Sequence, residues 1–130
     1  MKFFSVFLLM LVAVCYVKAE ELTKENVIAI AMACKEEHGA SDADMEAFKA
    51  HEGALTKEGK CMAACVMEKF GVLVEGKLDK DRAIEVGTAI FQEDAEKATA
   101  VVEACVDLEA DEDHCEAAVQ YAACMKEHAA

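Results

Sequence analysis

The segment Cys61-Met62-Ala63-Ala64-Cys65 does most to decide how this chain folds. Its two cysteines are four positions apart, and residues i and i+4 lie one turn apart on the same face of an α-helix. Bonds from that face can therefore reach two different neighbouring elements. Cys115 and Cys124 are nine positions apart, and nine steps of about 100° place them on opposite sides of one helix. We therefore expect the last helix to be held from two flanks.

The composition favours helices over strands. The 130 residues allow one domain, and they include no Pro, no Trp and only 6 Gly, so the turn residues that a many-stranded β fold needs are scarce. A hydrophobic fraction of 55% excludes intrinsic disorder. The formal net charge of −13 argues against nucleic acids and anionic membranes as partners, since both repel an acidic protein. The sequence predicts an all-α protein.

Residues 1–19 have the pattern of a secretory signal peptide. Lys2 precedes an almost wholly apolar run over residues 3–14, and small or modest side chains stand at the −3 and −1 positions of a cleavage after Ala19. The alternative is an N-terminal transmembrane anchor, but the apolar run is short for one. Nothing later in the sequence resembles a membrane span. We expect a protein secreted into extracellular fluid.

Removal of this leader changes the cysteine count. Cys15 leaves with it, so the seven cysteines of the chain become six in the domain at residues 20–130. An even number of cysteines in a secreted chain predicts three disulfides and no free thiol. Six cysteines allow fifteen pairings, and their spacing alone does not choose one.

Apolar periodicity and capping residues predict six helices after the leader. Ser41 and Asp44 resemble a capping box at the start of the second one. The apolar stretch Val72-Leu73-Val74 reads as a loop that tucks inward. The helices are expected at about residues 23–38, 41–50, 56–70, 79–92, 94–108 and 112–127.

The complete cysteine pattern resembles that of the six-cysteine insect odorant-binding and pheromone-binding proteins. The intervals between consecutive cysteines are 26, 3, 39, 9 and 8 residues, and the intervals of 3 and 8 are the most diagnostic. The resemblance covers the whole of residues 20–130. The pairing that it implies is Cys34–Cys65, Cys61–Cys115 and Cys105–Cys124.

This resemblance also implies a function. Six helices would enclose an internal apolar cavity, and the protein would carry odorants, pheromones or other lipophiles through aqueous fluid, with a chemosensory receptor as a further partner and olfaction as one role. Tyr121 stands out because its hydroxyl could bind a ligand carbonyl or alcohol. For each candidate the alternative is ordinary core, which is the commoner role of an apolar residue on an inward face, and Tyr121 could equally face solvent. The candidates are Ile30, Val66, Phe70, Val72, Leu73, Val86, Ile90, Phe91, Ala118, Tyr121 and Ala122.

Catalytic and metal-binding patterns are weak in this sequence. The four histidines do not form a zinc-binding spacing, and no Gly-x-Ser-x-Gly elbow occurs. The Asp79-Lys80-Asp81 stretch has Ile84 where a calcium loop needs glycine. We expect no enzyme, no cofactor and no metal. The remaining alternative is an extracellular interaction or seminal-fluid protein with a solid core, which would bind no lipophile.

Overall fold

The fold is seen in a computed structural model that describes residues 23–50, 54–90 and 94–129. These residues form six helices and one short hairpin, so the predicted all-α class is confirmed. None of their helices is both long enough and apolar enough to cross a membrane. The predicted signal peptide lies outside these ranges. The elements are α1 (Lys24–His38), α2 (Asp42–Ala50), α3 (Lys57–Lys69), β1 (Leu73–Val74), β2 (Lys77–Leu78), α4 (Lys80–Ile90), α5 (Ala95–Cys105) and α6 (His114–Ala129).

Local capping explains where most helices begin. Thr23, Thr56 and Asp94 each accept a hydrogen bond from the backbone N–H three residues later, at 3.3, 3.1 and 2.7 Å. Each satisfies an N–H group that has no partner inside its helix. Gly39 ends α1 in the left-handed conformation with φ 68°, which glycine adopts at little cost. The predicted starts at these three caps are confirmed.

The junction between α5 and α6 differs from the prediction. α5 ends at Cys105 rather than near Leu108, and α6 begins at His114 rather than near residue 112. The Asp113 carboxylate accepts a hydrogen bond from the Cys115 N–H at 2.8 Å, within the first turn of α6. Residues 106–113 therefore form a connector, as their run of acidic side chains permits.

The segment after α3 is a β-hairpin where the sequence predicts a loop. β1 and β2 pair antiparallel with Leu73 opposite Leu78, and the turn residues Glu75 and Gly76 both have positive φ, at 52° and 78°. Such a two-residue turn matches the twist of paired strands. Successive strand residues face opposite sides. Leu73 is consequently buried as predicted, whereas Val74 is 50% exposed and does not tuck inward.

A buried carboxylate joins the N-termini of α2 and α3. The predicted capping box is confirmed, because the Asp44 N–H donates to the Ser41 hydroxyl and the Ser41 N–H donates to Asp44, both at 3.1 Å. The same carboxylate accepts hydrogen bonds from the N–H and hydroxyl of Thr56, the N-cap of α3, at 2.9 and 2.6 Å. Asp44 is only 2% exposed. These bonds keep its charge solvated inside the protein.

The hydrogen bonds to Asp44 lower its pKa to about 2. The Thr56 hydroxyl contributes most, burial opposes it, and the backbone N–H groups of Thr56 and Ser41 lower the pKa further. A carboxyl group whose pKa is lower in the folded state than in the unfolded state stabilises the fold. Its contribution is complete when the pH is above the pKa of the unfolded state. That contribution is lost as the pH drops through the folded pKa.

Asp44 therefore predicts an acid-sensitive part of the stability, present above about pH 4 and lost towards about pH 2. We expect Asp44→Asn to lower the free energy of unfolding at neutral pH by about 2 kcal/mol and to flatten this acid dependence in denaturant titrations. Asp42→Asn is the control, because Asp42 is 98% exposed in its ion pair with Lys35 and such pairs contribute little. Equal acid profiles for Asp44→Asn and the unaltered protein would contradict the assignment.

Gly59 in α3 lies against the same carboxylate, and a Cβ atom at this position would overlap Asp44. We expect Gly59→Ala to lower the free energy of unfolding by roughly 1–3 kcal/mol. Gly87 in α4 is the matched control, because its added Cβ would meet the Ala98 Cβ at an ordinary 3.8 Å. Gly87→Ala should stabilise by about 0.5–1 kcal/mol through helix propensity. Thermal unfolding shifts of the same sign for both variants would refute the steric explanation.

Candidate functional site

Three disulfides form the frame of the candidate site. The first joins α1 to α3, the second α3 to α6, and the third α5 to α6, with Cα–Cα distances of 5.8, 4.5 and 5.9 Å. One face of α3 is thus bonded to two neighbouring helices, and α6 is bonded on two of its sides, as the spacing predicts. The pairing is the one that the resemblance implies: Cys34–Cys65, Cys61–Cys115 and Cys105–Cys124.

This frame ties distant parts of the sequence together. The bonds close stretches with sequence separations of 31, 54 and 19 residues. In the chain-entropy account, each closure stabilises the fold by roughly 3–4 kcal/mol. α3 and α6 each take part in two of the three bonds, and one of these bonds joins the two helices directly.

Most of the predicted lining residues meet in one buried cluster inside this frame. Ile30 of α1 is partly buried and packs against the cluster. Phe91 lies outside the described residues. The predicted residues that are buried together come from α3, the hairpin region, α4 and α6; they are Val66, Phe70, Val72, Leu73, Val86, Ile90, Ala118 and Tyr121.

Ala122 is not brought to this cluster, and the prediction for it is corrected. It is exposed on α6, although Ala118 and Tyr121 of the same helix are buried. Ala122 follows Tyr121 directly and is therefore about 100° around the helix from it. Alanine occurs on both the buried and the exposed faces of helices. The periodicity of the sequence alone therefore placed Ala122 on the wrong face.

Leu78 belongs to the same cluster, although it is not among the residues predicted from the sequence. It is buried because β2 pairs with β1 and places Leu78 beside Leu73. The available signal was the turn pair Glu75-Gly76 between two short segments that contain apolar residues. A short turn containing glycine between such segments is typical of a hairpin.

Polar groups are rare in the buried part of the described residues. Asp44 is the one buried charged side chain there, and its hydrogen bonds commit it to the α2–α3 junction. Tyr121 is 3% exposed as a whole residue. The buried part of the described residues is therefore almost wholly apolar.

The outer surface near the second disulfide is acidic, unlike the apolar buried cluster. His114 Nδ1 is 2.8 Å from Glu68 Oε1, and both side chains are about half exposed. This pair borders an open acidic depression rather than the apolar cluster. The depression is lined by Glu68, Glu75, Gly76, Glu112, Asp113, His114 and Cys115.

The PBP/GOBP family profile matches residues 17–128. The chain belongs to this family. General odorant-binding protein 19d of Drosophila melanogaster is 42% identical over 117 residues, covering 84% of this chain and 78% of the relative. The family resemblance drawn from the cysteine spacing is thereby confirmed.

Solved structures agree with the PBP/GOBP assignment. The odorant-binding protein dmelOBP28a from Drosophila melanogaster superposes with a TM-score of 0.73 at 34% identity, over 79% of this chain and 88% of that one. The fatty acid binding protein OBP56a from the oral disk of the blowfly Phormia regina superposes with a TM-score of 0.67, over 81% and 90% of the two chains. At 20% identity, the blowfly protein supports the fold alone.

Proposed function

We propose that this PBP/GOBP-family protein is a secreted carrier that binds small hydrophobic molecules in its apolar interior. The observation that carries the proposal is the buried apolar cluster within the three disulfides of a chain that matches this family over residues 17–128. Its relative is named a general odorant-binding protein. Odorants, pheromones and similar lipophiles are therefore the proposed ligand class.

Secretion and processing are part of the proposal. Residues 1–19 act as the leader and residues 20–130 as the carrier domain. Three disulfides within a small acidic chain support an oxidising extracellular environment. A chemosensory receptor is the proposed recipient of the ligand. Carriage requires reversible burial of apolar surface and no bond-making chemistry, so we propose that the protein is not an enzyme.

The physical basis of carriage is a balance between burial and cavity cost. Transfer of a lipophile from water into the interior stabilises the complex by roughly 25 cal/mol per Å² of apolar surface buried. An apolar space left unfilled costs stability in proportion to its volume. The three disulfides offset that cost, each by a few kcal/mol. The fold can thus persist both with and without its ligand.

A direct test is titration of the oxidised chain at residues 20–130 with a neutral fluorescent naphthylamine probe. We expect saturable binding of one probe per chain, and a rise in the thermal unfolding temperature that grows with ligand concentration. A folded, disulfide-bonded protein that binds no member of a varied set of lipophiles would contradict the proposal. That outcome would favour the interaction protein with a solid core.

A matched pair of substitutions on α6 tests where the ligand binds. Ala118 is fully buried and Ala122 is exposed on the same helix. Because Ala118→Leu fills space in the proposed site, we expect it to weaken probe binding about fivefold or more while the helical circular-dichroism signal is kept. Ala122→Leu should leave the affinity unchanged. Equal affinities for the two variants would argue against a site beside Ala118.

A further inference from the structure

We propose that the Cys61–Cys115 disulfide is a modification site, at which a small neutral or cationic thiol bonds to Cys61 while Cys115 leaves as a thiolate. This inference goes beyond the carriage of lipophiles and does not depend on it. It comes from the groups that surround each of the three disulfides, because thiol exchange is faster where the departing sulfur is better stabilised as an anion.

His114 and Glu68 form a hydrogen-bonded pair beside the sulfur of Cys115. His114 Nε2 is 3.7 Å from Cys115 Sγ, and Nδ1 of the same ring is 2.8 Å from Glu68 Oε1. The carboxylate at Nδ1 fixes the orientation of the ring and leaves Nε2 next to the sulfur. A protonated imidazole in this position can donate a hydrogen bond to a departing Cys115 thiolate and then give it a proton.

The positions of the two cysteines determine which sulfur is attacked and which one leaves. Cys115 is the second residue of α6, and the partial positive charge at a helix N-terminus stabilises a thiolate there. Cys115 is 5% exposed, whereas Cys61 is only partly buried. An external thiol therefore reaches Cys61 more easily, and Cys115 is the better leaving group.

The Cys34–Cys65 disulfide has the opposite surroundings. Glu37 Oε2 is 3.6 Å from Cys65 Sγ, and a carboxylate at this distance disfavours a thiolate. Cys34 is fully buried and Cys65 is 7% exposed, so an external thiol has little access to either sulfur. We therefore expect this bond to resist exchange.

The Cys105–Cys124 disulfide also has a histidine nearby, but its helix position is unfavourable. A ring nitrogen of His128 lies within 4.8 Å of both sulfurs. Cys105 is the last residue of α5, where the partial negative charge of the helix C-terminus disfavours a thiolate. The Ala104 carbonyl oxygen is 4.0 Å from Cys124 Sγ and acts in the same direction. This bond therefore serves as an internal comparison that has a histidine but an unfavourable helix end.

The charge around Cys115 determines which thiols are favoured. Cys115 lies at the acidic depression, together with Glu75, Glu112 and Asp113. These carboxylates and the formal net charge of −13 repel an anionic thiol and attract a cationic one. The same carboxylates disfavour a thiolate at Cys115, so its stabilisation depends on His114 and on the helix N-terminus.

The exchange needs no reagent besides the thiol. The external thiolate attacks Cys61 Sγ, a new S–S bond forms to Cys61, and the bond between Cys61 and Cys115 breaks. The electron pair of the broken bond goes to Cys115 Sγ, which takes a proton from His114. A second thiol can attack the small-molecule sulfur of the mixed disulfide, which releases the oxidised small disulfide and leaves Cys61 reduced.

The test is partial reduction of the oxidised chain at residues 20–130 by cysteamine, a cationic thiol, near neutral pH and without denaturant. Samples are quenched with acid, free thiols are alkylated, and peptides are mapped by mass spectrometry. We expect alkylation at Cys115 and a cysteamine adduct at Cys61, with this bond opening about tenfold or more faster than the other two.

A thiol of opposite charge tests the proposed selectivity. Mercaptoethanesulfonate is an anionic thiol of similar size, and the rates of both thiols are corrected for their intrinsic reactivity with 2-hydroxyethyl disulfide. We expect the corrected rate of opening to be at least about threefold lower for the anionic thiol. Equal corrected rates would overturn the proposed preference for neutral or cationic thiols.

The same substitution at two histidines separates the proposed role from a structural one. His114→Asn should slow the opening of the Cys61–Cys115 bond about tenfold, the worth of one hydrogen bond to a charged group. His128→Asn should leave its rate unchanged. If His114 only held α6 to α3 through Glu68, its loss would loosen the junction and speed the opening instead.

Three results would overturn the inference. The first is opening of either of the other two disulfides at the same rate or earlier. The second is a cysteamine adduct at Cys115 instead of Cys61, and the third is unchanged or faster opening in His114→Asn. The comparison of the three disulfides in the unaltered protein holds whether or not any variant folds.

Discussion

The covalent constraint on α3 and α6 governs this structure. Each of these helices carries two of the six bonded cysteines, and through them α1 and α5 are fixed to the same frame. A domain of this length has a modest core, and any space kept for a ligand reduces it further. Disulfides act mainly on the unfolded chain, so they can stabilise the fold without filling its interior.

A second, polar constraint complements the sulfur frame at the N-terminus of α3. Asp44 connects the starts of α2 and α3 through the hydroxyl and N–H groups of Ser41 and Thr56, and Gly59 leaves room for its carboxylate. This network uses the one buried charge of the described residues for structure. The residues of the buried cluster are apolar or aromatic, which suits the lipophilic ligand class proposed for this protein.

The sequence predicts best what local chemistry determines. Caps such as Thr23 and Thr56 locate helix starts because their hydrogen bonds reach only three residues along the chain. The sequence does not predict features that depend on packing between distant parts of the chain. Three such features depend on elements that meet only in the folded chain. They are the hydrogen bond from Thr56 to the Asp44 carboxylate, the pairing of Leu73 with Leu78, and the exposure of Ala122. The disulfide pairing came from the family pattern, since spacing alone leaves the choice open.

The central claim is that the disulfide-linked helices enclose an apolar space that a lipophile fills. A crystal structure of the oxidised chain at residues 20–130, grown with the neutral naphthylamine probe, tests this most directly. Our account predicts density for one probe inside the frame, in contact with Leu73, Val86 and Tyr121. The same residues packed against one another, with the probe absent or bound on the outer surface, would contradict it.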